Sequence, residues 1–253
     1  MRTKPTTALL AVLVSLGLAV TGCSSAPATK TVTVFAAASM KATFTKLGHS
    51  FEASHPAVIV RFNFDGAQTL AEQLLQGASA DVFASANEAN MVPVTNAGLN
   101  AGEAKFYASN RLQIAVPPTN PARIGSFADL AKKDLKLVIC APAVPCGSAT
   151  VKVEQATGIT LTPVSEEQAV TDVLAKVVAG EADAGLVYRT DVIGAGGKVS
   201  GIEFAESAKA INHNTIVSLK NGPQAGLGQE FVDLVLSADG QKVLAEAGFG
   251  PAQ

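Results

Sequence analysis

The stretch VFAAASMKATF, residues 34–44, decides the fold. Val34 and Phe35 are bulky and read as the end of a buried strand. Ala36, Ala37, Ala38 and Ser39 follow. Met40, Phe44, Leu47 and Phe51 then recur at spacings of four, three and four, the stripe of a helix buried along one face. The junction therefore puts small side chains and a serine where a strand gives way to a helix. Such a helix start carries unpaired N–H groups and the positive end of the helix dipole, which together favour an anion. The alanines let backbone approach a bound group closely. Ser39 taken alone has a simpler explanation as the helix N-cap.

Working outward, strand and helix patterns alternate. Thr31–Phe35 reads as a strand and Met40–Ser54 as a helix closed by His55-Pro56. Val58, Val60, Phe62 and Phe64 alternate as a strand does. TLAEQLLQG is a helix stopped at Gly77, DVFAS a strand, NEANMVPVTNAG a short broken helix and LQIAVPP a strand ending in prolines. SFADLAKK opens with Ser126 three residues before Asp129, a capping-box start. LKLVIC is a strand, GSATVKVEQATG and EEQAVTDVLAKVVAG are helices, and AGLVY is a strand. NTIVSL is a strand, followed by helices around GLGQEFVDLVL and over 238–247. This alternation predicts parallel sheets covered on both faces, arranged in two α/β lobes. Ligands of such folds sit outside the carboxyl ends of the strands.

The N-terminus, MRTKPTTALLAVLVSLGLAVTGCSS, places Arg2 and Lys4 before an apolar run, Ala8–Val20. At 13 residues that run is short for a bilayer span and fits a signal peptide. It ends in VTGC, which resembles a bacterial lipobox. That resemblance implies a signal peptide over 1–22, cleavage before Cys23, lipid on the Cys23 thiol and a small polar tether over 23–30. Without Arg2 and Lys4, 17 basic residues face 21 acidic ones, a net charge of −4. With no basic run or aromatic-interleaved basic patch, nucleic acid is not an expected partner. A negative surface offers no long-range attraction for an anion, so local groups would have to hold one. The remaining cysteines, Cys140 and Cys146 in VICAPAVPCGSAT, read as a disulfide in an exported chain. A metal site is the rival, but two cysteines make a poor ligand set and no histidine is near in sequence.

Enzyme signatures are absent: there is no G-x-S-x-G elbow and no Walker loop. His49, His55 and His213 have no metal-ligand spacing, and Glu166-Glu167 reads as a solvated pair. Arg111 reads as a surface or hinge residue rather than an anion clamp.

FAAAS, ADVFASA, VPCGSAT, EADAGLVYRTDV and AEAGFG, taken together and in order, resemble the periplasmic molybdate-binding proteins of ABC importers. The resemblance covers the whole chain after the leader. It implies the type II periplasmic-binding-protein fold, two α/β lobes with a hinged cleft: residues 31–111 and 213–253 in one lobe, 112–212 in the other. It implies an oxyanion, molybdate or tungstate, held by hydroxyls and backbone N–H groups, with no cofactor and no metal bound directly by protein atoms. It places ligands at Ser39, Ala67, Cys146, Val170 and Tyr188, of which Ala67, Cys146 and Val170 act through backbone N–H groups. Where many members carry a serine pair, this chain has Gly66, Ala67 and Gln68, so one expected hydroxyl is missing. The resemblance further implies a non-enzymatic monomer, lipid-anchored at the outer face of the membrane and serving an ABC permease. A receptor of the same fold for sulfate or another oxyanion, and a cell-wall lipoprotein with enzymatic or scaffolding work, are the alternatives.

Overall fold

The computed structural model describes residues 29–252, so the leader and Cys23 lie outside the described residues. The chain opens with β1 (Lys30–Ala37), a single 3₁₀ turn (Ala38–Met40) and α1 (Lys41–Ser54). β2 (Val58–Asp65), α2 (Ala67–Leu75), β3 (Val82–Ser85), α3 (Val92–Asn96) and β4 (Lys105–Asn110) follow. One residue later β5 (Leu112–Val116) begins a second sheet. It continues with β6 (Leu137–Cys140), α4 (Pro145–Thr157), β7 (Ser165–Glu167), α5 (Val170–Val178), β8 (Ala184–Tyr188), α6 (Arg189–Gly194) and β9 (Ser200–Ile202). The chain then returns through β10 (Asn212–Ser218) to the first sheet and ends in α7 (Ala225–Leu236) and α8 (Ala238–Glu246).

The sheets run β2-β1-β3-β10-β4 and β7-β6-β8-β5-β9, one per lobe. The second half of β1, from Val34 to Ala37, is buried on both faces, which is why it reads as a continuous apolar run. Val32, Val34 and Ala36 join Phe44, Phe51, Tyr107 and Phe231 on one side. Phe35 joins Leu70, Leu74, Phe83 and Met91 on the other. Phe231 packs on Phe44, Phe51 and Phe62, with ring centroids 6.0, 5.6 and 6.1 Å away. The second lobe has its own core around Ile114, Phe127, Val138, Val153, Val173 and Leu186.

Four details depart from the sequence reading. The sheets are mixed rather than parallel: β10 runs antiparallel to β3 and β4, and β5 antiparallel to β8 and β9. These are the strands at the two lobe crossings, where the chain leaves one sheet for the other without a returning helix to reset its direction. KFYASN forms β4, although its exposed Phe106 and polar ends gave no clear alternation. Ser126 and Asp129 do bond reciprocally, with Ser126 N–H donating to Asp129 Oδ2 (3.0 Å) and Asp129 N–H to Ser126 Oγ (3.3 Å). They start only one 3₁₀ turn, Ala128–Ala131. Glu166 and Glu167 lie in β7 rather than in a helix, paired with β6, and Glu167 is partly buried against Lys176.

Candidate functional site

Between the lobes lies a small cavity, partly open to solvent. Ser39 and Ala67 line it from the first lobe, and Cys146, Val170 and Tyr188 from the second. The five residues singled out in the sequence are thus brought together, drawn from five segments spread over some 150 residues. Among the described residues no charged side chain lines the cavity. What faces it instead is a set of element ends. β1 and β8 stop there, and the 3₁₀ turn, α2, α4 and α5 begin there. A helix start leaves its first N–H groups without intrahelical partners.

Ser39 sits inside the 3₁₀ turn and caps nothing: neither that turn nor α1 has a side-chain cap bond. Its Oγ is buried without a hydrogen-bond partner. A buried hydroxyl left unpaired costs about 1–3 kcal/mol, so an acceptor is called for at this spot. Ala36, Ala37 and Ala38 are all buried, and their small side chains bring the turn up against the cavity.

Ala67 is the first residue of α2, behind Gly66. A Cβ at Gly66 would lie 2.3 Å from the Gln168 carbonyl oxygen of the other lobe, so only glycine lets the lobes meet here. Gln68 does not line the cavity. Its Nε2 donates across the cleft to the Gln168 carbonyl (2.9 Å) and to Thr69 Oγ1 (3.2 Å). Gln68 therefore makes a lobe-to-lobe bond.

Cys146 lies in the first turn of α4 behind Pro145, a residue suited to that position because its absent N–H is not missed there. A disulfide joins it to Cys140 at the end of β6. Next to it, a Cβ on Gly147 would lie 1.9 Å from the Ala141 carbonyl oxygen, so helix and loop meet backbone to backbone. Val170 opens α5, and its side chain packs in the core, leaving the backbone N–H as its polar contribution.

Tyr188 ends β8 and is buried at 2% exposure. Its hydroxyl oxygen accepts a hydrogen bond from Asn212 Nδ2 (2.5 Å), and Nδ2 also donates to the Pro145 carbonyl (3.2 Å). Burial, and then the nearby Asp191, push the phenol's ionisation well above its ordinary range, so it remains a donor at physiological pH. Asp191 Oδ2 accepts the Tyr188 N–H (2.8 Å).

Arg111 lies outside the cavity at the lobe crossing, where it pairs with Glu203 (2.8 Å). His49 lies 3.5 Å from Glu52, and His55 bonds Glu230 (3.0 Å). Among the described residues no His, Cys, Asp and Glu group could hold a metal ion. Gln168, Asp191 and Asn212 escaped the sequence reading, and Gln68 was singled out there only for its place beside Ala67. Each acts through a contact to a distant element or a buried backbone group, and a polar residue of that kind leaves no periodic trace.

Burial pushes the Asp191 carboxyl up to about 7, against the lowering effect of the Tyr188 N–H. The folded protein therefore holds a proton that the unfolded chain releases near pH 4, and stability falls as pH rises from about 4 to about 7. Asp191→Asn is expected to reduce that fall by about 3–4 kcal/mol, read as urea unfolding at pH 4.5 and pH 8. Equal pH dependence in the two proteins would contradict the assignment.

The family of bacterial extracellular solute-binding proteins matches residues 32–250. The chain is 46% identical over 252 residues to the molybdate-binding protein ModA of Mycobacterium tuberculosis, covering 96% of each chain. It is 31% identical to ModA of Haemophilus influenzae, covering 98% of this chain and 97% of that one. Its fold superposes on the periplasmic molybdate-binding protein of Azotobacter vinelandii with a TM-score of 0.77 at 20% identity, covering 88% of this chain and all of that one. Sequence match and two-lobed architecture agree, and the chain belongs to the family of bacterial extracellular solute-binding proteins.

Proposed function

We propose that the protein captures molybdate, and tungstate with it, outside the cytoplasm and delivers it to the permease of an ABC importer. The observation that carries this reading is the buried, unpartnered Ser39 hydroxyl at a cavity ringed by helix N-termini and lined by no charged side chain. In this reading Ser39 gives hydroxyl and backbone N–H, Ala67, Cys146 and Val170 give backbone N–H groups, and Tyr188 gives its phenol. A dianion taken out of water needs several donors to replace its hydration. Hydrogen bonds to a charged group are worth roughly 1.5–3 kcal/mol each, so six such donors offset a large desolvation cost. A ring of N–H and O–H groups also disfavours a protonated anion, whose own O–H would face donors. Selection among tetrahedral dianions then falls to the size of the cage, which favours molybdate and tungstate over the smaller sulfate. The family and the 46% identity to a molybdate-binding protein support the choice.

The protein acts by binding and hand-over rather than by catalysis, as a monomer, and needs no cofactor. Cys23 carries the lipid that keeps it at the outer face of the membrane, with VTGC as the supporting feature. Acyl chains contribute about 0.8 kcal/mol per buried CH₂, so two or more anchor firmly. Cys23→Ser should move the protein out of the membrane fraction or leave uncleaved precursor. Wild-type protein recovered soluble with a free Cys23 thiol would refute the anchor.

Titration calorimetry tests the site. Ser39→Ala and Tyr188→Phe should each weaken molybdate about ten- to a hundredfold, while apo stability changes little. Sulfate should compete poorly. Unchanged molybdate affinity in both variants would remove the site assignment. Sulfate binding tighter than molybdate would favour a sulfate receptor, and no oxyanion binding at all would end the receptor reading.

A further inference from the structure

Two asparagines face each other at the lobe crossings. Asn110 ends β4, Asn212 begins β10, and they are partners in the β4–β10 ladder. Both are buried, at 5% exposure, and both reach into the second lobe. Asn110 Nδ2 donates to Thr190 Oγ1 (2.8 Å), while Asn212 Nδ2 donates to Tyr188 Oη and to the Pro145 carbonyl. A carbonyl oxygen can only accept, which fixes the nitrogen end of the Asn212 amide toward Pro145 and gives its second N–H to Tyr188. Both N–H groups of the Asn212 amide are then spent on segments that line the cavity, one carrying Tyr188 and one leading into Cys146.

The consequence for Tyr188 is directional. A phenol has one proton to give and lone pairs to receive. Asn212 occupies the receiving side, and among the described residues no acceptor takes the proton. We propose that Asn212 is a positioning residue for ligand capture: by donating to the Tyr188 oxygen it leaves the phenol proton for the bound oxyanion. Because it begins the strand that returns to the first lobe, it also ties that donor to the lobe crossing. The inference rests on the oxyanion reading above and names a residue outside the set that touches the ligand. Asn212 is absent from the cavity lining and acts through Tyr188 and Pro145.

The test is a double-mutant cycle on the purified mature protein, read by calorimetry with molybdate. Asn212→Ala should weaken molybdate about three- to tenfold in the wild-type background, as loss of one neutral hydrogen bond would. Most of that loss should vanish in the Tyr188→Phe background, where no phenol is left to orient. The part that remains is the share acting through Pro145. Asn212→Asp, nearly the same in shape, is the second variant. Its carboxylate accepts the phenol proton and turns it from the anion, so it should weaken molybdate more than Tyr188→Phe does. Losses from Asn212→Ala that are equal in the two backgrounds would overturn the positioning role, as would Asn212→Asp binding as the wild type does. If Tyr188→Phe itself binds molybdate unchanged, the oxyanion reading of Tyr188 falls and this inference with it. Equal losses in a background already weakened by Tyr188→Phe remove the role of Asn212 alone.

Discussion

A dianion surrounded by protein must have its charge met by donors, and here the cavity walls hold only neutral ones. That constraint explains the arrangement around it. A backbone N–H has no reach, so each segment that offers one must come to the ligand itself. Helix starts do this best, because their first N–H groups are unpaired by construction. The 3₁₀ turn after β1, α2, α4 and α5 accordingly begin at one point. Small residues make the approach possible: Ala36–Ala38 on the first turn, Gly66 against Gln168 and Gly147 against Ala141.

The same constraint gives the two lobes their dependence on each other. Ser39 and Ala67 lie on one side and Cys146, Val170 and Tyr188 on the other, so neither lobe alone surrounds a ligand. A ligand touching both favours the closed arrangement by its differential affinity for closed over open. Gln68 adds a contact of the protein's own, from the first turn of α2 to the carbonyl two residues before Val170. Asp191 lies on the opposite logic. Its carboxyl is buried one helical turn from Tyr188, where a negative charge would oppose an anion, and burial keeps much of it protonated near neutral pH.

The α/β class and most of the helices could be read from the sequence because their signals are local. The stripe Met40, Phe44, Leu47, Phe51 and the apolar run of β1 each lie within a dozen residues. The antiparallel directions could not: LQIAVPP and NTIVSL read as strands, but β4, β5, β9 and β10 owe their direction to where the chain crosses between sheets. At the cavity, Ser39 was suggested by its junction, whereas Ala67 and Val170 carry apolar side chains and contribute only backbone. Nothing in their chemistry marks them, and they were reached through family resemblance. Asn212 was beyond both routes, and for Gln68 they gave the position but not the contact. Gln68 meets a carbonyl 100 residues away, and Asn212 a phenol 24 residues before it.

The most direct measurement is a crystal structure of the mature protein grown with molybdate, phased on the anomalous signal of molybdenum. The account predicts one strong anomalous peak between the lobes, with anion oxygens about 2.7–3.1 Å from Ser39 Oγ, Tyr188 Oη and the N–H groups of Ala67, Cys146 and Val170. Molybdenum found elsewhere, or bound through a lysine or arginine side chain, would contradict it.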